Sequence, residues 1–544
     1  MNKITSVLVI GLSILSIVNS SIKAQKKPNI IVVFADDISA RELPIYNSST
    51  WSVPPQGGNT SNPKYRAETP VMDKIANEGV FIKSAWGATI CSPSRAMMMT
   101  GRYAHIHKWW HLKDRGSFIN KKGKKEHTYP LYESSPHTIG HIAKAGGYAT
   151  YWAGKTQIGG VDKFNFDEGC FTPGVNDKKN PNTDFKIVQK KINGKRVLIN
   201  EDTGVEVEYY QQFGWYWKPH VELMNHPSSS KQFEWWPNTP ESKASYGLNT
   251  FGPDVELDFV LDFMERKHKE EKPFFVYHTT HLGHDGWDFF SSDINKKTRQ
   301  KWPATPKVEW KNGKYIRTNP NVTGDNGEYN THGSITEGGI HNHVKYLDYQ
   351  LWQYIEKLKE LKIEDNTILI FCADNATSGY GKGSFNSQKG PHIPMIIYAP
   401  CLNMTKHGEQ DVLADVSDIL PTIAEISDVE VPKDYELNGK SLIPFLTTKT
   451  PEHREWIYTY HMEKQLIRSK NVLIDGVGKA YDVSSYPADL ISFPEIKDWS
   501  KATKEQKEEY KKLKSILPQF DLHATEHDAP VNGIGKVEPL KLKK

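Results

Sequence analysis

Apolar runs that alternate with segments of helical periodicity constrain the fold of this chain more than any other feature. Asn29 to Phe34 is apolar at nearly every position, the pattern of a strand covered on both faces. Pro136 to Ala145 predicts a helix ended by Gly146-Gly147, with a strand over Tyr148 to Trp152. Asp254 to Arg266 carries Phe259, Val260, Phe263 and Met264 on one face and leads into the strand Phe274 to Tyr277. His343 to Leu361 repeats Val344, Leu347, Leu351, Ile355 and Leu358 at helical spacing before the strands Thr367 to Phe371 and Met395 to Ala399. Such alternation predicts an α/β fold, a large mostly parallel sheet sandwiched by helices. After about Pro432 the pattern turns to hairpins (Ile457 to His461, Gln465 to Arg468, Val472 to Ile474) and a charged helix, Lys501 to Leu517. This part, 433–544, reads as a smaller α+β domain with an antiparallel sheet, leaving 25–432 as the main domain. Thr172 to Gly247 is polar, aromatic and rich in Pro, Asn and Ser, as an insertion or long loop region would be.

Residues 1–24 resemble a secretory leader: Lys3 is followed by the apolar Ile4 to Val18, with Ala24 as a cleavage residue. The run is short for a membrane span, so the expectation is an exported protein, periplasmic or secreted, without stable membrane association. A net charge of +4 over 544 residues, with no basic stripe and no zinc-finger spacing, argues against nucleic acid as a partner. The four cysteines, Cys91, Cys170, Cys372 and Cys401, are few for an exported chain, so its stability rests on the core.

Chemistry gathers where the strands end, the place ligands occupy in open α/β sheets. Asp36-Asp37 follows the strand ending at Phe34, and Asp374-Asn375 follows the one ending at Phe371. Three carboxylates and an amide are hard oxygen ligands suited to calcium or magnesium, although each pair alone would also suit an Asx turn. Gly154-Lys155 and Gly381-Lys382-Gly383 put lysines beyond strand ends, and His278, His281 and His284 follow another. In Cys91-Ser92-Pro93-Ser94-Arg95, Ser92 can cap a helix beginning at Pro93, which leaves Cys91 just before an anion-favouring helix N-terminus. Arg95, one turn in, adds a planar cation that fits a tetrahedral oxyanion.

Cys-x-Pro-Ser-Arg followed by Thr100-Gly101-Arg102 resembles the signature of the formylglycine-dependent sulfatases, of alkaline-phosphatase-like fold. The resemblance implies that Cys91 is matured to formylglycine by a generating enzyme. The hydrated aldehyde would attack the sulfur of a sulfate ester, and its second hydroxyl would then lose a proton to expel sulfate. It also implies metal ligation by Asp36, Asp37, Asp374, Asn375 and position 91, most simply to calcium with magnesium as the alternative. Catalytic roles pass to Arg95, Lys155, Lys382 and His284, with His281 and Gln157 as substrate-binding candidates. The chain departs from the family where Gly154-Lys155-Thr156-Gln157 replaces Gly-Lys-Trp-His and where Ala376 replaces a glycine. Gln157 cannot take a proton, so His105 or His107 is expected to act as base, unless Gln157 orients the hydrate and water carries the proton. Trp109-Trp110, Trp215-Tyr216-Trp217, Trp235-Trp236 and Trp287 suggest stacking on sugars, and with export they favour a sulfated poly- or oligosaccharide as substrate. The rival readings are a phosphate or phosphonate ester hydrolase of the same superfamily and an inactive carbohydrate-binding homologue.

Overall fold

The computed structural model describes residues 27–53, 58–110, 117–119, 125–127, 130–176, 187–200, 206–207, 215–216, 219–236, 251–284, 305–318, 336–524 and 539–543. The expected leader, Trp217 and Trp287 lie outside the described residues. One sheet of eleven strands carries the core. In chain order these are β1 (Asn29–Ala35), β2 (Val80–Trp86), β3 (Ala149–Gly154), β4 (Glu168–Phe171), β5 (Val221–Met224) and β6 (Phe233–Trp236). There follow β7 (Phe274–Thr279), β8 (Thr367–Ala373), β9 (His392–Ile393), β10 (Met395–Tyr398) and β11 (Gly408–Asp415). Across the sheet the order is β6-β5-β4-β3-β7-β1-β8-β10-β2-β9, with β11 beside β2.

The centre, β4-β3-β7-β1-β8, is parallel throughout, and antiparallel pairs flank it on both sides. Every residue of β1 is buried, which is why its sequence is apolar without alternation. The main helices are α1 (Cys91–Thr100), α2 (Ile139–Ala145), α3 (Gly252–Lys269) and α4 (Ile340–Glu360). α3 buries Val255, Phe259, Val260, Phe263 and Met264, with Phe263 and Tyr151 of β3 in ring contact at 4.8 Å. Each such side chain contributes about 1.5–3 kcal/mol by leaving water. α4 buries Val344, Leu347, Leu351 and Ile355, and its Tyr354 hydroxyl lies 2.9 Å from His278 Nδ1 on β7.

Register places the site. β1 and β8 pair Ala35 with Ala373, so Asp36-Asp37 and Asp374-Asn375 leave the sheet side by side. β3 and β7 pair Gly154 with Thr279, which brings Lys155 and the turn His281–His284 to the same edge.

Two expectations are corrected. α1 begins at Cys91 itself with Ile90 at the N-cap position and no side-chain cap, so Ser92 lies inside the first turn, and the Ser94 hydroxyl accepts from the Ala88 N–H at 3.2 Å. Within the stretch expected as an insertion or long loop region, β5 and β6 are strands that extend the sheet, β5 antiparallel to β4 and β6 antiparallel to β5. Beyond residue 432, Trp456–His461, Lys464–Ser469, Val472–Ile474 and Ala480–Asp482 form a four-stranded antiparallel sheet, followed by a helix over Lys504–Ile516. The sheet braces the loop before Cys91: Thr459 donates to the Gly87 carbonyl at 2.9 Å, and the Thr89 hydroxyl lies 2.9 Å from His461 Nδ1.

Candidate active site

The four strand-end segments and the N-terminus of α1 meet around Cys91. Its Sγ lies 3.6 Å from Asp36 Oδ1 and 3.6 Å from Asp37 Oδ1. Ligand atoms of Asp36, Asp37, Cys91 and Asp374 lie within 4.8 Å of one another, and Asp36, Cys91 and His284 meet the same condition. The Asp37 and Asn375 N–H groups donate to Asp374 Oδ1 at 3.0 and 2.8 Å, and Asn375 Nδ2 donates to Asp37 Oδ1 at 2.7 Å. Asn375 Oδ1 is buried without a hydrogen-bond partner. Three carboxylates and an unpartnered amide oxygen, all buried, are a donor set that fits a hard divalent cation.

Three cations ring these carboxylates. Arg95 Nη2 donates to Asp374 Oδ2 at 2.8 Å and stands 3.6 Å from Asp36 Oδ1. Lys155 Nζ donates to Asp36 Oδ2, and Lys382 Nζ donates to Asp37 Oδ2 at 2.8 Å. His284 Nε2 lies 3.9 Å from Asp37 Oδ2. Arg95 keeps two buried guanidinium nitrogens, Nε and Nη1, without partners, and unpaired buried donors of this kind fit an anionic ligand.

Electrostatics differ from one carboxyl to the next. Burial raises the Asp36 carboxyl, but Lys155, His284, Arg95 and Lys382 outweigh it and hold it well below the usual carboxylate range. Burial, then the charge of Asp36, pushes Asp374 up to about 7 without a cation. Burial likewise pushes the Cys91 thiol up, against the pull of Lys155 and Lys382, so the unmodified cysteine is a poor nucleophile.

Glycines permit these close approaches. A Cβ on Gly87 would stand 2.0 Å from the Asp374 carbonyl oxygen, and one on Gly283, at φ +105°, would stand 2.1 Å from that of Asp36. Neither strand end could sit where it does beside a larger residue.

The remaining candidates separate. His278 is buried against Tyr354 and Glu256. His281, with Nδ1 3.6 Å from Glu256 Oε1, lines a cavity of about 240 Å³ with Lys155, Gln157, Asn176, Trp215 and Phe233. Gln157 adopts a left-handed backbone, φ 51°, and its Oε1 is buried without a hydrogen-bond partner. His105 and His107 turn toward the C-terminal segment: the His105 ring packs on Phe520 at 5.2 Å. His107 Nδ1 accepts from the Trp109 N–H at 2.9 Å, with Nε2 3.3 Å from the Tyr460 hydroxyl. These contacts hold both rings against the C-terminal segment, and the group that serves as base is left to the proposal below.

The aromatic pairs divide as well. Trp109 and Trp110 are buried, and Trp236 packs edge-on against Phe259 at 5.2 Å, whereas Trp215 stands beside His281 and His284. Tyr216, expected with Trp215 to stack on sugars, instead bonds through its hydroxyl to the His284 carbonyl at 3.0 Å. Sequence reasoning missed Glu256, which is buried with Oε1 3.6 Å from His281 Nδ1. An acidic residue four before Val260 on the apolar stripe of α3 was the signal for it.

Comparison with known proteins places the chain in a family. Residues 28–429 match the family model described as Sulfatase. An arylsulfatase of Hemicentrotus pulcherrimus is 25% identical over 430 residues, 76% of this chain and 61% of that one, so the chain spans less than two thirds of that relative. The N-acetylgalactosamine-6-O-sulfatase of Bacteroides thetaiotaomicron is 23% identical over 505 residues, 85% of this chain and 84% of that one. A structure solved in complex with its substrate, D-glucosamine-2-N,6-O-disulfate, shares the fold with a TM-score of 0.55 at 17% identity, covering 92% of this chain and all of the other. With the family model spanning strand ends, cysteine and cations alike, the chain belongs to the sulfatase family.

Proposed function

We propose that this protein hydrolyses sulfate monoesters of a sulfated poly- or oligosaccharide, with Cys91 acting as formylglycine after maturation. The observation that carries the reading is the position of Cys91 Sγ, 3.6 Å from both Asp36 and Asp37 and enclosed by Arg95, Lys155 and Lys382. Asp36, Asp37, Asp374 and Asn375 would hold calcium, with magnesium as the alternative, and a bound cation would supply Lewis-acid polarisation. A formylglycine at position 91 would supply a hydrated aldehyde as the nucleophile.

The chain's own residues do the rest. Arg95 and Lys155 neutralise the charge spreading over the sulfate oxygens, in a site dry enough to strengthen each interaction. His284, with Lys382 beside it, gives a proton to the departing alcohol oxygen. Gln157 presents an amide where the family pattern has a histidine, so it orients a hydroxyl or water, and solvent carries the proton away. The 240 Å³ cavity beside Lys155 has room for a sugar ring, with Trp215 as an aromatic wall. Sulfated-sugar names among the relatives support this substrate class. No helix among the described residues is long and apolar enough to cross a membrane, and it is the leader-like N-terminus that supports export. The proposed division is residues 25–432 for the catalytic domain and 433–544 for the smaller one.

The test is co-expression with a formylglycine-generating enzyme, followed by peptide mass spectrometry and turnover of a sulfated N-acetylhexosamine. The expected result is an aldehyde at position 91 and loss of turnover in Cys91→Ala by at least about a thousandfold. Full activity in that variant would overturn the reading.

A further inference from the structure

Trp215 and Tyr216 touch the turn that carries His284, and the sugar-stacking expectation for this stretch does not account for how. Tyr216 is fully buried. Its ring lies parallel to Phe251 at 5.7 Å and edge-on to His343 at 5.4 Å. Its carbonyl accepts from the Gly252 N–H at the start of α3. From that anchored position the hydroxyl bonds to the carbonyl oxygens of both His281 and His284. Trp215 grips the side chains of the same two residues: its indole stacks on His281 at 4.7 Å and 20°. It meets the His284 ring edge-on at 4.9 Å and 89°. A third hold comes from His343, whose Nδ1 accepts from the Gly283 N–H at 3.1 Å.

The turn lies directly on the metal-ligand strand end. The Leu282 carbonyl accepts from the Asp36 N–H at 3.2 Å, and Gly283 leaves no room for a Cβ against the Asp36 carbonyl oxygen. A turn pressed on one side against Asp36 and held on the other by an aromatic pair has one position available. We propose that Trp215 and Tyr216 are a positioning pair: they fix the His281–His284 turn so that the His284 imidazole meets the leaving-group oxygen. The inference rests on the reading of His284 as proton donor. A proton donor works only within hydrogen-bond reach of its acceptor, and a displacement of about 1 Å costs roughly a hundredfold in rate. In this role each acts through His284, and Trp215 also lines the cavity beside Lys155.

The test uses the matured enzyme and a series of phenyl sulfates running from 4-nitrophenyl, whose leaving group needs little protonation, to 4-methoxyphenyl, whose leaving group needs more. Tyr216→Phe keeps the ring and removes the two carbonyl contacts, and Trp215→Leu removes the indole. For both, kcat/KM on 4-methoxyphenyl sulfate is expected to fall at least about fivefold further than on 4-nitrophenyl sulfate, the loss of one oriented hydrogen bond. Tyr216→Phe is not expected to lower kcat/KM further on 4-methoxyphenyl sulfate in a His284→Ala background. Parallel losses across the series, or losses that persist undiminished in that background, would overturn the proposal. Thermal melts show whether a variant is folded, and Trp215→Leu decides the question if Tyr216→Phe is not. A His284→Ala enzyme that loses equally on every phenyl sulfate would instead overturn the reading of His284 as the proton donor.

Discussion

The proposed cation predicts a measurable electrostatic penalty on its removal. Ligand atoms of Asp36, Asp37 and Asp374 lie within 4.8 Å of one another. Two unit charges at that separation repel by about 3–4 kcal/mol at an effective dielectric constant near 20. Arg95, Lys155 and Lys382 offset part of this, yet Asp374 is still pushed up to about 7 by burial and by Asp36, so the cations leave it under-compensated. A divalent ion present at about a hundred times its dissociation constant stabilises the folded state by roughly 2.7 kcal/mol. With an unfolding entropy of about 2 cal/mol/K per residue over a domain of some 400 residues, that becomes a melting shift of about 3 °C. Scanning fluorimetry near pH 8, where Asp374 is ionised, should therefore show a fall of this size on adding EGTA and recovery with excess calcium. Asp374→Asn removes one of the three charges and should abolish both responses, and elemental analysis after dialysis should find the variant free of metal. A wild-type protein unmoved by chelation, or a variant that keeps the full calcium response, would refute the reasoning.

Three further outcomes follow from particular contacts. Gln157→Ala should lower kcat about tenfold or more, whereas His107→Gln should stay within about twofold in kcat and show its cost as a lower melting temperature; steady-state kinetics with the reverse pattern would restore the histidine as base. Asp348 is buried and pushed up to about 7 by burial, against the pull of Tyr315 and of the Met72 and Val71 amides. Its carboxyl in the unfolded chain titrates near 4, so the folded state binds the proton more tightly, and stability falls as pH rises from about 4 to about 7 by at most about 4 kcal/mol. Urea midpoints should show that slope reduced in Asp348→Asn, and an unchanged slope would rule the residue out as its source. Gly283→Ala forces a Cβ to 2.1 Å from the Asp36 carbonyl at φ +105°, which should destabilise by about 3 kcal/mol or more; a melting temperature within 1 °C of wild type would show that the turn is not held there.

The strand ends and their acidic pairs were legible because apolar runs and hard-oxygen ligands are local features. Asn29–Ala35 is apolar because both faces of β1 are covered, and Asp36 follows directly. Once parallel pairing is inferred, Asp374 must emerge beside it, and the observed register pairs Ala35 with Ala373. The Cys91 motif was equally legible, being written in consecutive residues. Tertiary structure decided what depends on distant partners. That Ile90 and not Ser92 precedes the first turn of α1 is seen only in the folded chain. The directions of His105 and His107 were set by Phe520 and Tyr460, more than three hundred residues away along the chain in each case, and no local pattern encodes such a contact. The same holds for the three histidines after β7: spacing makes all of them candidates. The turn at Gly283, held between Asp36 and Tyr216, sets His284 near Asp37, whereas His278 is buried within β7 against Tyr354 and Glu256. Sequence determines which chemistry a strand end can offer, because ligand type and apolar cover are properties of neighbours in the chain. Packing determines which side chain faces the reacting atoms, because that depends on groups the chain brings together only when folded.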